Sequence, residues 1–293
     1  MEKWTRIKYQ PNLPLSENGE RVTACVEHVA LSKNSAKEGM VLLKNDSDLL
    51  PLKIDQKVAL FGKGTFDYVK GGGGSGDVTV EYTVNLYEGL QSFVHIEEHL
   101  ASYYRKWVQE QYESGVEPGM VAEPELPDEL CANARRYTDT AVISISRFSG
   151  ESWDRSVTEI QMSVPNERPI ALRSAELFEK GDFYLSNAEK AMVEKVKHHF
   201  PKVVVVLNVG GVVDTEWFAH DDRIQSVLLA WQAGMEGGHA AAELLCGIGN
   251  PSGKLTDTFA KGLTDYPSTE GFHSNDGLVF VTYDHYETFI EIV

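Results

Sequence analysis

"NAEKAMVEKVKHHFPKVVVVLN", residues 187–208, joins two hydrophobic patterns that together decide the fold class. A capping box formed by Ser186 and Glu189 opens the first part, and this is a typical start of a helix. The second part, "KVVVVLN", is continuously apolar, as expected for a strand buried on both faces of its sheet. A helix that leads directly into such a strand is the repeating unit of α/β proteins.

Three further strands of this kind are expected, at residues 57–61 ("KVALF"), 140–146 ("TAVISIS") and 224–231 ("IQSVLLAW"). Helices are expected over residues 97–113 and 236–247, with a loop rich in Pro and Glu after the first of them. Another helix is expected from Arg21 to about Leu43, where apolar residues recur at helical spacing: Val22, Val26, Val29, Ala30, Ala36 and Met40. This alternation predicts an α/β fold with a mostly parallel sheet and helices on both faces.

The sheet edge at which ligands bind can be named from the same pattern. Ligands of parallel sheets bind beyond the carboxyl ends of the strands. That rule selects the loops after Phe61, after Ser146 and after Leu207. A run of glycines, "KGGGGSG" at residues 70–76, lies just beyond the first of these loops.

Charge and composition narrow the class of ligand. The chain has 293 residues, of which 42% are hydrophobic, and a formal net charge of -17. This charge disfavours nucleic acid as a partner, because nucleic-acid binding depends on clustered Lys and Arg. A neutral ligand such as a sugar fits the charge better.

The cysteines and the N-terminus indicate the cellular environment that is expected for the protein. Cys25, Cys131 and Cys246 lie far apart, which predicts buried, reduced thiols and neither a disulfide framework nor a zinc cluster. Residues 1–20 are polar and are expected to form an N-terminal arm without a leader sequence or membrane span, so a cytoplasmic location is expected. The scattered histidines predict no metal, and no cofactor is expected.

The glycine run admits several interpretations. A phosphate-binding P-loop requires a lysine after the last glycine, and none follows Gly76. A dinucleotide fingerprint is suggested by Gly62 and Gly64 after a strand, but Asp67 stands where the third glycine belongs. A flexible linker fits the composition. The position of the glycine run inside a domain favours a loop instead, in which the glycines allow the backbone to approach a ligand closely.

Nine stretches together resemble the α/β sandwich domain of family 3 glycoside hydrolases, the β-glucosidase group. They also occur in the order and at the spacing of that family, and the resemblance covers about residues 21–262. The stretches are "EGMVLLKNDSDLLPL" (38–52), "KVALFGKG" (57–64), "GGGSG" (72–76), "YEGL" (87–90), "ISRFSGESWDR" (145–155), "GDFYLSNAE" (181–189), "VVVVLNVGGVVD" (203–214), "LLAWQAGMEGG" (228–238) and "GNPSGKLTDTF" (249–259).

The resemblance implies an (α/β)6-sandwich fold and a role for particular residues. Retaining glycoside hydrolysis needs a nucleophilic carboxylate and a second carboxyl group as general acid and base. The "SGE" element implies that Glu151 is this acid/base. Phe148 and Trp153 flank it and are expected to form the walls of a dry pocket that raises its pKa. Ser152 departs from the glycine that is usual in the family.

Further residues around the sugar are implied by the same resemblance. Gly73, Gly74 and Ser75 of the glycine run are expected to border the sugar pocket. Trp153, Asp154 and Arg155 are the other candidate substrate-binding residues. For Asp154 and Arg155, however, a role as a structural clamp is the first expectation, and direct contact with the sugar is the second. The same two alternatives apply to Arg147. Asn208 and Asp214 are expected to hold turns, and Trp231 to pack at a strand end.

The resemblance also implies that a catalytic part is missing. The nucleophile of the family is an aspartate on a (β/α)8 barrel in a Ser-Asp-Trp setting, and this tripeptide does not occur here. Some relatives place the sandwich before the barrel, and this inverted order is the expected one. Residues 263–293 are then a C-terminal linker or tail leading to a missing domain. An added stretch between Arg155 and Gly181 is expected to form a lid or subsite wall.

Three functions follow from these observations. The first is the acid/base-bearing domain of a β-glucosidase-like hydrolase, which is inactive without its barrel and acts on a β-glucoside or oligosaccharide. The second is a non-catalytic carbohydrate-binding or scaffold module. The third, and least favoured, is a nucleotide-binding α/β protein.

Overall fold

The structure is a computed structural model and describes residues 24–150, 173–174 and 176–266. Within these residues a six-stranded sheet forms the centre of the fold. Its strands are β1 Val41–Asn45, β2 Lys57–Phe61, β3 His95–Ile96, β4 Thr140–Ser146, β5 Lys202–Asn208 and β6 Ser226–Leu229. Their order across the sheet is β1-β6-β5-β4-β2-β3, and every neighbouring pair is parallel except β1 and β6.

Helices cover both faces of this sheet. They are α1 Val26–Gly39, α2 Leu86–Leu90, α3 Glu98–Glu113, α4 Asp128–Tyr137, α5 Asn187–His199, α6 Glu216–Ala219 and α7 Gly237–Leu245. Leu100 and Tyr104 of α3 pack on one face with the buried apolar residues of α4 and α5, whereas the buried apolar residues of α2 and α7 pack on the other. The predicted α/β fold with a mostly parallel sheet is therefore confirmed.

The central strand β4 shows why the strand sequences are continuously apolar. Every residue of β4 is buried. Ala141 and Ile143 face the core under α3, α4 and α5, whereas Val142 faces the core under α2 and α7. Because successive side chains of a strand point to opposite faces, a strand covered on both sides needs apolar residues at odd and even positions alike.

The prediction for the N-terminal helix is wrong at both ends and in its apolar face, since the helix begins at Val26 and not at Arg21. The helix ends at Gly39, and residues 41–45 form the edge strand β1, which pairs antiparallel with β6. No residue of α1 is buried, and Val26 is 81% exposed. Val41 pairs with Leu229 and joins the core of the sheet.

Three smaller expectations also need correction. The loop rich in Pro and Glu contains a helix, α4, which begins directly after Pro127. The strand expected over residues 224–231 is shorter, and only Ser226–Leu229 pair in it. Cys131 and Cys246 are buried and free as predicted, but Cys25 is only partly buried.

The connections change direction between β2 and β4. After β2 the chain passes through α2 on one face and reaches β3, which is the edge strand next to β2. After β4 it passes through α5 on the opposite face and reaches β5 on the other side. A crevice forms at such a switch point, and this is where open α/β sheets bind their ligands.

We predict that Gly89→Ala destabilises the protein because α2 and α7 touch through their backbones. A Cβ at Gly89 would overlap with the carbonyl of Gly238. Overpacking of this kind lowers the free energy of unfolding by about 1–3 kcal/mol. Gly39→Ala is the matched control, because no atom lies within 4 Å of its added Cβ. Chemical denaturation followed by circular dichroism should show the loss at Gly89 only. Equal stabilities of the two variants would contradict the prediction.

Candidate functional site

The crest, which we define as the sheet edge formed by Phe61, Ser146, Asn208 and Leu229, carries the candidate site. These residues end β2, β4, β5 and β6, which are parallel neighbours. The loops that follow them therefore leave the sheet at the same edge. The switch point between β2 and β4 lies within this crest.

The glycine run packs directly against the loop that follows β4. The Gly73 amide donates a hydrogen bond to the Ser149 carbonyl over 3.1 Å. Gly73 and Gly150 form an isolated parallel bridge. A Cβ at Gly150 would overlap with the backbone of Gly73, so this approach requires glycine. A mobile linker does not account for such packing.

The rest of the run lies on the exposed side of this contact. Gly74 begins a short 3-10 turn, Gly74–Gly76, with a φ of +66°. A positive φ of this size favours glycine. Gly74 and Ser75 are exposed, whereas Gly73 is buried in the crest contact. Of the three glycine-run residues expected to border a ligand, one therefore joins the loops and two face outward.

Two other crest loops also touch the β4 loop. A Cβ at Gly210, after β5, would lie 2.7 Å from the Ser149 Oγ atom. The Gln232 side chain, after β6, donates through Nε2 to the Arg147 carbonyl over 3.1 Å. The Arg147–Gly150 segment is thus in contact with the loops that follow β2, β5 and β6.

Asn208 and Asp214 hold backbone, as the sequence predicted. The Asn208 side chain is fully buried and accepts from the Val69 amide over 2.6 Å. It also donates to the carbonyls of Val69 (2.9 Å) and Trp231 (2.7 Å). The Asp214 carboxylate accepts from the Glu216 amide over 2.9 Å and so holds the start of α6. Both side chains bind backbone groups, which is the geometry of a turn-holding side chain.

Trp231 packs at the end of β6. Its φ is +54°, and its indole Nε1 donates to the Gly39 carbonyl over 3.1 Å. Its ring also meets Phe259 edge to face, with the centroids 6.3 Å apart. This agrees with the packing role expected from the sequence.

Arg147 is a buried clamp. Its guanidinium forms two hydrogen bonds of 2.7 Å with the Glu189 carboxylate, and both side chains are at most 3% exposed. It also donates to the carbonyls of Asp182 and Tyr184 over 2.8 and 3.0 Å. Burial alone would raise the pKa of Glu189, but the Arg147 guanidinium, the Ser186 amide and the Lys63 ammonium together lower that pKa. Of the two alternatives for Arg147, the structure supports the clamp.

The residues of the partial dinucleotide fingerprint serve packing. A Cβ at Gly62 would overlap with the Ser144 carbonyl, and one at Gly64 would lie 2.8 Å from it. Asp67, which stands in place of the third glycine, is 1% exposed and accepts from the Lys63 ammonium over 2.8 Å. These glycines therefore allow the backbone of β4 to approach closely. The Asp67 carboxylate is already paired with Lys63.

Four candidate site residues lie outside the described residues, and they are Glu151, Trp153, Asp154 and Arg155. The added stretch between Arg155 and Gly181 falls mostly outside them as well. Gly150, at the Gly73 contact, is the last described residue before Glu151.

Neither a metal cluster nor a membrane-spanning helix is found among the described residues. Among those that the structure describes, no three His, Cys, Asp or Glu side chains converge as metal ligands would. None of the helices in the described part of the chain has the length and apolarity needed to cross a bilayer.

The sequence profile of the family described as "Glycosyl hydrolase family 3 C-terminal domain" matches residues 40–289. This chain belongs to glycoside hydrolase family 3. Its sequence is 58% identical to Beta-glucosidase A from Butyrivibrio fibrisolvens over 98% of this chain and 35% of that protein. It is 34% identical to a beta-glucosidase from Ruminococcus albus, over 86% of this chain and 25% of that protein.

Solved structures of beta-glucosidases show the same fold. The beta-glucosidase from Paenibacillus barengoltzii is 37% identical with a TM-score of 0.71, over 84% of this chain and 25% of that one. Beta-glucosidase 3B from Thermotoga neapolitana, solved in complex with glucose, is 34% identical with a TM-score of 0.68, over 83% and 32%. The chain thus spans about a quarter to a third of these family 3 relatives.

Below the crest of this family 3 domain lies a buried carboxyl group that the sequence analysis missed. Glu123 accepts from the Lys63 amide over 2.8 Å, and burial raises the pKa of its carboxyl group to about 8. Glu123 is therefore mostly protonated at neutral pH. In the sequence it stands in "VAEPELP", where a glutamate is usually exposed, so no local signal marks it.

We predict that Glu123 makes the stability of the protein fall as pH rises from about 5 to about 8. The unfolded chain releases this proton near pH 4.5, whereas the folded chain keeps it until about pH 8. Between these values the folded state binds more protons, so the free energy of unfolding decreases with pH. Each pKa unit corresponds to about 1.4 kcal/mol.

Glu123→Gln, which resembles the protonated carboxyl group, should flatten this part of the pH profile. Urea denaturation at several pH values between 5 and 8 measures the effect. Glu125→Gln is the control, because Glu125 is two residues away and exposed. An unchanged pH slope in Glu123→Gln would show that Glu123 ionises normally.

Proposed function

We propose that the chain is the sandwich domain of a retaining β-glucosidase-like hydrolase and that it supplies the general acid/base, Glu151. Membership of family 3 and the relatives named beta-glucosidase support this proposal. The observation that carries it is the contact between Gly73 and Gly150, which joins two crest loops at the switch point directly before Glu151.

The proposed chemistry uses two carboxyl groups. One attacks the anomeric carbon as a nucleophile while the other donates a proton to the leaving oxygen, and the second then deprotonates the water that releases the sugar. Glu151 takes the second role. Such an acid must be protonated when the substrate binds, and a partly apolar pocket favours this by desolvating the carboxylate. Phe148 and Trp153 are the proposed apolar walls.

The nucleophile is proposed to come from outside this chain. The chain spans 35% of Beta-glucosidase A and 25% of the Paenibacillus barengoltzii enzyme, so most of each relative consists of other sequence. A (β/α)8 barrel that carries an aspartate is the proposed partner, and the chain alone is proposed to be inactive. The proposed substrate is a β-glucoside or an oligosaccharide.

The proposed sugar contacts lie on both sides of the glycine contact. Gly73, Gly74 and Ser75 provide backbone and a hydroxyl group from the β2 loop. Trp153, Asp154 and Arg155 provide an aromatic face and charged groups from the sequence after Glu151. A sugar needs both an apolar platform and hydrogen-bonding groups, and these residue types supply them.

We predict that Glu151→Ala removes general-acid assistance when the chain is assembled with a family 3 barrel domain. Aryl β-glucosides with poor leaving groups should lose about 10²- to 10⁴-fold in kcat/KM, because they depend most on protonation. Substrates with good leaving groups should lose much less. Azide should restore turnover of Glu151→Ala and give a glucosyl azide, since a small anion fits the vacated space.

Glu113→Ala, at the exposed end of α3, is the matched control and should keep full activity. Full activity of Glu151→Ala on poor leaving groups would overturn the assignment. Binding of glucosides by the isolated chain, combined with an inactive assembled enzyme, would favour a carbohydrate-binding module instead.

A further inference from the structure

The segment between α3 and α4 reaches the crest at a single glycine. Gly119 has a φ of +84°, and a Cβ there would lie 2.6 Å from the Cβ of Phe148. The backbone of Gly119 therefore rests directly on Phe148, which precedes the Gly73 contact by two residues. Gly115, in the same segment, has a similar φ of +89°, but no atom lies within 4 Å of its added Cβ.

Two buried charged side chains from the β2 loop hold Gly119 in this place. The Asp67 carboxylate accepts from the Gly119 amide over 2.6 Å. The Lys63 ammonium donates to the Gly119 carbonyl over 3.2 Å and forms an ion pair of 2.8 Å with Asp67. The ion pair of Lys63 and Asp67 thus binds both the amide and the carbonyl of Gly119.

The remaining bonds of Asp67 reinforce the same segment. Its carboxylate accepts from the Tyr112 hydroxyl over 2.7 Å and from the Val121 amide over 3.4 Å. Lys63 and Asp67 are 2% and 1% exposed. Burying two charges carries a desolvation cost that an apolar pair avoids, so overall stability does not explain the choice of an ion pair. The ion pair is explained by its directed hydrogen bonds to the Gly119 backbone, because an apolar pair cannot provide such bonds.

We propose that Asp67 is a positioning residue: with Lys63 it clamps Gly119 against Phe148 and thereby fixes the Arg147–Gly150 segment of the crest. This clamp adds to the attachments that Glu189 forms with Arg147, Gln232 with the Arg147 carbonyl, and Gly73 with Gly150. Its importance for catalysis rests on the proposed function, because that segment leads into Glu151.

Hydrogen exchange of the Gly73 amide in the 293-residue chain tests the clamp, since this amide binds the Ser149 carbonyl. Asp67→Asn should speed its exchange about tenfold or more under native conditions. Asp139→Asn is the control, because Asp139 forms a Lys–Asp pair of 3.2 Å in which both side chains are 48% exposed, at the start of β4. The control should change the rate less than about twofold.

Asp67→Asn leaves the buried Lys63 ammonium without its ion-pair partner, and a second variant avoids this side effect. Gly119→Ala alters no charge and no residue of the β2 loop, but it pushes on Phe148. It should also accelerate exchange of the Gly73 amide, whereas Gly115→Ala, with the same backbone strain, should not. Unchanged Gly73 exchange in folded Asp67→Asn and Gly119→Ala would overturn the proposal.

Activity separates this proposal from the proposed function. In the chain assembled with a barrel domain, Asp67→Asn should lower kcat for poor leaving groups more than for good ones, with little change in KM. The exchange measurement does not depend on Glu151 being the acid. If exchange responds as expected and azide fails to rescue Glu151→Ala, the clamp stands and the assignment of Glu151 fails.

Discussion

The contact between Gly73 and Gly150 is the constraint on which the crest depends. Two backbones from neighbouring loops meet where any side chain on Gly150 would overlap. This occurs at the point where the connections of the sheet change direction, so the loops diverge on either side of it. A glycine run that resembles a linker in composition is therefore a packed element of the candidate site.

Buried charge supports this contact from below. Arg147 binds Glu189, and Lys63 binds Asp67, in pairs that are at most 3% exposed. Buried ion pairs seldom add much net stability, but they form directed bonds that fix the geometry of the groups around them. Here the bonds reach the backbone of the β4 loop and of Gly119, which suits a domain whose proposed role is to hold one carboxyl group in place.

Much of the fold could be predicted from the sequence, because burial on both faces leaves a continuous apolar run in β2, β4, β5 and β6. The edge strand β1 escaped prediction, since "VLLKN" continues the spacing of the preceding helix and its partner β6 lies far along the chain. The clamp escaped for a similar reason. Lys63, Asp67 and Glu123 are types that are usually exposed, and only the tertiary structure buries them. Glu151 was reached through a family motif, and its role stays a prediction.

Gly150→Ala, compared with Gly76→Ala, tests the central claim most directly. Gly76 lies in the same glycine run, and no atom lies within 4 Å of a Cβ added to it. The measurement is hydrolysis of aryl β-glucosides by each variant assembled with a family 3 barrel domain. The account predicts a loss of about tenfold or more for Gly150→Ala and near-normal turnover for Gly76→Ala. Equal turnover of the two variants would contradict the claim that the crest contact sets the position of the acid.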